Sequence, residues 1–261
     1  MSGQVQQSDP DWSAYVAAFH AERSGITEDV LEHAFDDDHR TPYDWAASVL
    51  VGVPAGSRVL DLACGSAPMQ PRLDAHRYLG VDASAGELQR ARAADRPVAQ
   101  ADATRLPLAG SSVDAVVMSM ALMLVPLEVT LREVARVLRP GGVFVATVPH
   151  KRPMPASDWL RYARLCVALR HPGLRYPNDD ALLDPHRLFA AVGLRLDHDE
   201  QRAFACELAD THRARQLLAS LYLPDVADGR LEHGRAVVDR WVGSSITTPV
   251  RLLVASTART R

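Results

Sequence analysis

The sequence predicts a doubly wound α/β fold on three observations. Short apolar runs recur at 58–62, 77–81, 97–101, 113–118 and 143–149. Helix-period segments separate several of them. Acids close the first three runs or lie within them: Asp61, Asp82 and Asp102. Alternation of strand and helix implies parallel strands joined by right-handed crossovers. Two later runs, 194–206 and 249–256, bring the expected sheet to seven strands.

The first 55 residues read as helical. Trp12, Tyr15, Val16 and Phe19 share one face at helical spacing. Thr27, followed by Glu28 and Asp29, reads as a cap with acids in the first turn. Thr41-Pro42-Tyr43-Asp44 combines a cap, a proline at the first helical position and an acid at the third. That helix is expected to end at Gly52. Ser84-Ala-Gly-Glu87 has capping-box spacing and opens a helix to about Ala94. Leu127 to Leu138 is amphipathic, with Leu131, Val134 and Ala135 on its apolar side. Leu138-Arg-Pro-Gly-Gly142 is expected to close it before the fifth strand. Residues 150–190 break the alternation with helical pieces at 158–169 and 185–192. Helices are also expected near 211–222 and 229–241. One domain over 1–261 follows: a helical lid (1–55), a core (56–149), a cap insertion (150–192) and a C-terminal completion of the sheet (193–261).

Composition excludes several classes. At 47% apolar and 23% charged, the 261 residues suit a water-soluble fold with a full core. No window has the roughly 20 apolar residues of a membrane span. The polar start, Met1 to Pro10, has neither the basic end nor the apolar centre of a signal peptide. Cys64, Cys166 and Cys206 show no metal-ligand spacing, and a reducing cytoplasm is the expected setting. A net charge of −3 gives no global field for nucleic acid. Charge is uneven, however. Residues 1–40 hold nine acids against Arg23 and Arg40, while 151–175 hold Lys151, Arg152, Arg161, Arg164, Arg170 and Arg175 against Asp158. These read as two solvated faces that could lie together, or as a basic patch for an anionic substrate.

The chemistry gathers at the strand ends, where open α/β sheets bind ligands. Gly65 lets backbone approach a ligand, and Ala63, Ser66 and Ala67 keep the turn slim. Backbone donors beyond that turn suit a carboxylate. Asp82 lies 17 residues past Gly65, where nucleotide-binding folds place an acid on ribose hydroxyls. Cys64 sits inside the turn without a neighbouring base or cation and reads as a packed residue.

Taken together, Val59-Leu-Asp-Leu-Ala-Cys-Gly-Ser-Ala67, Asp82, Asp102, Val113-Asp114 and Arg139-Pro-Gly-Gly142 resemble the class I S-adenosylmethionine-dependent methyltransferases of the type 11-like, small-molecule kind. The resemblance covers about residues 58–149. It implies a Rossmann-like sheet, mostly parallel, with an antiparallel last strand. It implies S-adenosylmethionine as cofactor, S-adenosylhomocysteine as product, and no metal. The position of Asp61 would orient the turn and the cofactor's amino end. Asp82 and Ala83 would hold the ribose, Asp102 and Ala103 the adenine, and Ser119 the amino group again. Ala63, Gly65 and Ser66 would line the turn, and Tyr15 would belong to the lid. Ala63 and Ala67 replace the first and third glycines usual in the family.

Absences narrow the acceptor. Ser119-Met-Ala-Leu122 lacks the acid or amide with prolines used on exocyclic base nitrogens, and has no catalytic cysteine. No carboxylate cluster at that edge suits magnesium. Met123-Leu-Val-Pro126 lacks the histidine many small-molecule relatives carry there. Two histidines remain as candidate catalytic bases: His150, after the fifth strand, and His20, at the end of the first helix. The reading favoured is methyl transfer to an O, N or C nucleophile of a small specialised metabolite, without nucleic acid or membrane as partner. The alternatives are an RNA or protein methyltransferase using the basic cap, and a cofactor-binding member of the fold that does not methylate. Oligomeric state leaves no trace in the sequence.

Overall fold

The computed structural model describes residues 11–259; the polar start expected at 1–10 lies outside them. Helix α1 (Trp12–Glu22) and α2 (Ile26–Leu31) lead into a two-residue strand β1 (Ala34–Phe35), then α3 (Pro42–Val49). The core follows as β2 (Arg58–Leu62), β3 (Arg77–Asp82), α4 (Ala85–Ala93), β4 (Val98–Gln100), β5 (Val113–Ser119), α5 (Leu127–Val137) and β6 (Leu138–Pro149). Helices α6 (Ala156–Leu169) and α7 (Pro185–Ala190) precede β7 (Leu194–Leu208), α8 (Thr211–Ala219), α9 (Asp228–Val238) and β8 (Ser244–Thr257).

Among the described residues the sheet has eight strands, ordered β1-β7-β8-β6-β5-β2-β3-β4. Strands β2 to β6 run parallel, β8 lies antiparallel between β6 and β7, so that β7 points with the core strands, and β1 pairs antiparallel with β7. The last strand is antiparallel as expected, and the expected count of seven is corrected to eight, giving a mixed sheet. The added strand is two residues long, too short to show a period of two. It exists because Ala34 and Phe35 pair with Cys206 and Ala205 on the edge of β7. Strand β6 starts five residues earlier than the expected 143, since Leu138 pairs with Val113 ahead of a bulge.

The central strands are buried on both faces, which explains their unbroken apolar runs. In β5, Ala115 and Val117 face one core with Trp45 and Phe204, while Val116 and Met118 face the other with Leu131 and Phe144. Helix α5 buries Leu127, Leu131, Val134 and Val137. Each such side chain contributes about 1.5–3 kcal/mol relative to exposure.

Caps follow the sequence, with two corrections. Thr41 and Asp44 form the full capping box. The cap of α2 is Gly25, at φ 79°, not Thr27. Ser84 caps α4 through the Glu87 N–H, but Glu87 turns its carboxylate elsewhere, and the Ser84 N–H donates to Asp82 instead.

The charge pattern also resolves differently from a pairing of the two runs. The N-terminal acids meet arginines of the core and of β7. Glu32 pairs with Arg72 at 2.8 Å, Glu28 with Arg96 at 3.0 Å, Asp29 with Arg90, and Asp36 with Arg202 at 3.3 Å. From the basic run, Arg161 donates to the Ser245 carbonyl at 2.7 Å, and beyond it Asn178 donates to the Leu122 and Val125 carbonyls at 2.8 Å each.

Candidate functional site

Strand order reverses at β2, between β3 and β5, so the crevice opens where β2 and β5 end. A cavity of about 670 Å³ lies there, within the usual range for small-molecule sites. Its floor is the turn after β2. Ala63, Gly65 and Ala67 stand at φ 53°, 56° and 63°. This run of left-handed residues coils the turn. A Cβ on Gly65 would come no nearer than 3.7 Å to another group, so its positive φ, not lack of space, is what asks for glycine here. Ala63 and Ala67 adopt the same region with a side chain, each at a cost of about 1 kcal/mol.

Asp82 sits at the end of β3 with both oxygens engaged. Oδ2 accepts the Gly65 N–H and Oδ1 accepts the Ser84 N–H, each at 2.8 Å. Burial raises its pKa, and those two N–H groups act in the opposite direction. Asp61 is fully buried. Its Oδ2 accepts the Tyr78 hydroxyl at 2.6 Å, while Oδ1 has no partner. Burial first, with the nearby Asp82 adding to it, lifts the Asp61 carboxyl to about 7. Cys64 packs between β2 and its neighbours, and burial beside Asp61 and Asp82 drives its thiol far up, away from nucleophilic use.

Two residues lining this cavity carry a buried polar atom without a partner: Asp61 at Oδ1 and Ser119 at Oγ. A buried polar group without a partner costs about 1–3 kcal/mol, which a ligand can relieve. The donor set fits S-adenosylmethionine. Asp61 and Ser119 suit its ammonium, Asp82 its ribose hydroxyls, and Ala101, Asp102 and Ala103 flank space for the adenine. Asp102 uses Oδ1 to hold the Thr104 N–H and hydroxyl at 2.8 Å, which sets the local turn. Ala83 lends its carbonyl to Gln100 at 2.9 Å. Ser66 turns its hydroxyl to Glu28. Among the described residues, no group of three or more His, Cys, Asp or Glu is placed to hold a metal.

The lid residues divide. His20 reaches the cavity, with Nδ1 2.9 Å from Glu87 Oε1 and Nε2 3.0 Å from the Tyr222 hydroxyl. Tyr15 does not line it; its hydroxyl accepts the Leu223 N–H at 2.8 Å and so fixes the segment after α8. His150 stands about a different cavity, with Nδ1 3.1 Å from the Arg152 N–H that donates to it. Sequence reasoning missed Glu87 and Tyr222. Glu87 is disguised by its place in a capping-box pattern, and Tyr222 carries no motif.

The second cavity, about 950 Å³, is walled by Val30, Leu31, Met123, Leu174, Leu217 and Leu221. Lys151, Arg175 and Arg251 also reach it, and Thr248 Oγ1 points there without a partner. Thr27, Met120 and Tyr222 line both cavities.

Residues 60–146 match the family profile described as a methyltransferase domain. The chain is 45% identical over 98 residues to a demethylmenaquinone methyltransferase of Mycobacterium sp. (strain KMS), covering 36% of this chain and 43% of that protein. It is 43% identical over 99 residues to a malonyl-[acyl-carrier protein] O-methyltransferase of Dechloromonas aromatica (strain RCB), covering 35% and 37%. The matched stretch thus spans less than half the length of these relatives. In fold it is similar to the [4+2]-cyclase SpnF, with a TM-score of 0.62 at 19% identity over 94% of this chain and 96% of that one. It is also similar to a SAM-dependent methyltransferase from Thermotoga maritima, with a TM-score of 0.54 at 15% identity over 93% and 99%. No described helix is long and apolar enough to cross a membrane. With the switch-point crevice and the acids at the ends of β2 and β3, residues 60–146 are identified as a methyltransferase domain of the class I S-adenosylmethionine-dependent kind.

Proposed function

We propose that the protein transfers a methyl group from S-adenosylmethionine to a small, largely apolar molecule in the cytoplasm. The observation that carries this reading is the pair of adjoining cavities. One is edged by acids at the strand ends, the other has a largely apolar wall with Lys151, Arg175 and Arg251 reaching it, and Thr27, Met120 and Tyr222 line both. The donor supplies a methyl group already activated by the sulfonium. The protein's part is to hold the two reactants in line, and proximity alone can supply about 7–11 kcal/mol of the barrier. Asp82, Asp61, Ser119 and the turn Ala63–Ser66 hold the donor in this reading. The helices of residues 12–31 act as its lid, and the stretch 150–192 shapes the acceptor side. His150 belongs to the acceptor wall, with Nδ1 engaged in its own turn.

The relatives do not carry an acceptor over. Their printed names differ in acceptor, and the matched segment is mainly the cofactor half. Calorimetry with S-adenosylhomocysteine, followed by a metabolite extract incubated with methyl-labelled S-adenosylmethionine, tests the proposal. Expected are micromolar or tighter binding and label in a small apolar product. Binding without any labelled product would favour a cofactor-binding member that does not methylate. Label in RNA or protein would return the basic cap to the centre of the argument.

A further inference from the structure

We propose that Tyr222, His20 and Glu87 form a proton relay whose phenol end meets the methyl acceptor, and that the acceptor is therefore a hydroxyl on an apolar molecule. This rests on the methyltransferase reading and narrows it to O-methylation.

The three side chains come from distant parts of the chain: α1, the first turn of α4 and the segment after α8. Glu87 and Tyr222 are buried, at 3% and 6% exposure. Glu87 is held by a second bond, Oε2 accepting the Gly25 N–H at 2.9 Å. Tyr222 stacks on Phe19 with centroids 4.4 Å apart, and the Tyr15 hydroxyl fixes the next residue, Leu223. The phenol is thus aimed rather than loose. A structural pin between α1 and α4 needs only the His20–Glu87 contact. The chain of bonds continues past it, to a hydroxyl at the boundary of the two cavities. There Thr27 also lines both cavities, beside the Tyr222 phenol.

Direction follows from burial, which raises the Tyr222 pKa well above its ordinary range and keeps the phenol protonated at neutral pH. Tyr222 then donates to Nε2, and Nδ1–H donates to Glu87. During transfer the acceptor hydroxyl gives its proton to the Tyr222 oxygen while the Tyr222 proton moves to Nε2. The electron pair left on the acceptor oxygen forms the new bond to the methyl carbon. The pair of the broken carbon–sulfur bond stays on sulfur, leaving a neutral thioether. The imidazolium formed faces the Glu87 carboxylate at Nδ1 and later loses its extra proton to solvent. Base assistance of this kind contributes roughly 10²–10⁴-fold.

The full chain, labelled with ¹⁵N-histidine and saturated with S-adenosylhomocysteine, gives a readout that needs no acceptor. At pH 7.5 Nδ1 of His20 should carry a proton, and Nε2 should accept a hydrogen bond that Tyr222→Phe removes. Tyr222→Phe keeps the stack on Phe19 and should bind S-adenosylhomocysteine within about twofold of wild type. An Nε2–H tautomer, or an imidazolium at that pH, overturns the relay, because Nε2 could not then take the phenol's proton. Failure to bind S-adenosylhomocysteine in the wild type overturns instead the methyltransferase reading beneath it. With the methylated product in hand, Tyr222→Phe should lower kcat about 100-fold, and an unchanged kcat, or a methylated nitrogen or carbon, overturns the proposal.

Discussion

Asp82 accepts the Gly65 N–H at 2.8 Å across the switch point of the sheet. One carboxylate therefore shapes the turn after β2 and, in the proposed function, receives the cofactor's ribose. These two tasks should separate by substitution. Asp82→Asn keeps a carbonyl for the Gly65 N–H, gives up the bond from the Ser84 N–H, and loses the charge-assisted bonds to hydroxyls, worth about 1.5–3 kcal/mol each. S-adenosylhomocysteine affinity should fall by about 100-fold in calorimetry, with the melting temperature shifted by only a few degrees. Equal affinity in the variant would remove the site assignment.

Asp61 makes binding exchange a proton. Its carboxyl is lifted to about 7, and its unpartnered oxygen faces the place proposed for the ligand's ammonium. A cation there pulls the pKa down. At pH 6, S-adenosylhomocysteine binding should release close to one proton, seen as an enthalpy that varies with the ionisation heat of the buffer. At pH 8.5 the Asp61 contribution should vanish. A buffer-independent enthalpy at pH 6 would show that Asp61 does not meet the ligand.

The same group sets a slope in the stability of the free protein. The folded-state pKa stands near 7 against an ordinary 3.8, so the folded chain keeps a proton that the unfolded chain gives up. The stability from that proton is complete below about pH 4 and is lost as pH rises through 7. At about 1.4 kcal/mol per pH unit, the loss is about 4 kcal/mol. Asp61→Asn should flatten the curve of urea stability against pH over that window.

Arg72 joins the segment 32–44 to the turn after β2. It donates to Glu32 and Asp44, to the Pro68 carbonyl at 2.8 Å and to the Thr41 hydroxyl at 3.3 Å. Its side chain is 18% exposed, so solvent screens part of the effect. Arg72→Met should cost about 2–3 kcal/mol in denaturant unfolding, short of the 3–5 kcal/mol of a fully buried pair.

Ala63 carries a side chain in a left-handed turn, at φ 53°. Ala63→Gly removes about 1–2 kcal/mol of backbone strain and restores about 0.5–1 kcal/mol of unfolded-state entropy. The variant should be more stable by about 0.5–1 kcal/mol in urea unfolding; a destabilised variant would mean that the turn relaxes differently.

The sheet core and its acids were legible because they obey local rules. Buried parallel strands leave apolar runs, and an acid at a strand end leaves a letter at a fixed place. The Thr41–Asp44 box was legible for the same reason. What escaped depends on contacts between distant segments. Strand β1 is made by the edge of β7, not by its own two residues. Gly25 displaced Thr27 as a cap through its backbone conformation. Glu87 obeyed its local pattern in part, giving its N–H to Ser84 while its carboxylate went to His20 and Gly25. Nothing around Tyr222 announces that it closes on a histidine 202 residues earlier.

That closure has an evolutionary consequence. The segment that carries family likeness, residues 60–146, supplies most of the floor of the donor cavity, while His20 and Tyr222 come from either side of it. Under the proposed function, donor use and acceptor choice would be heritable separately. Grafting both flanks together onto a relative's core should then move acceptor preference with them while S-adenosylhomocysteine affinity stays with the core.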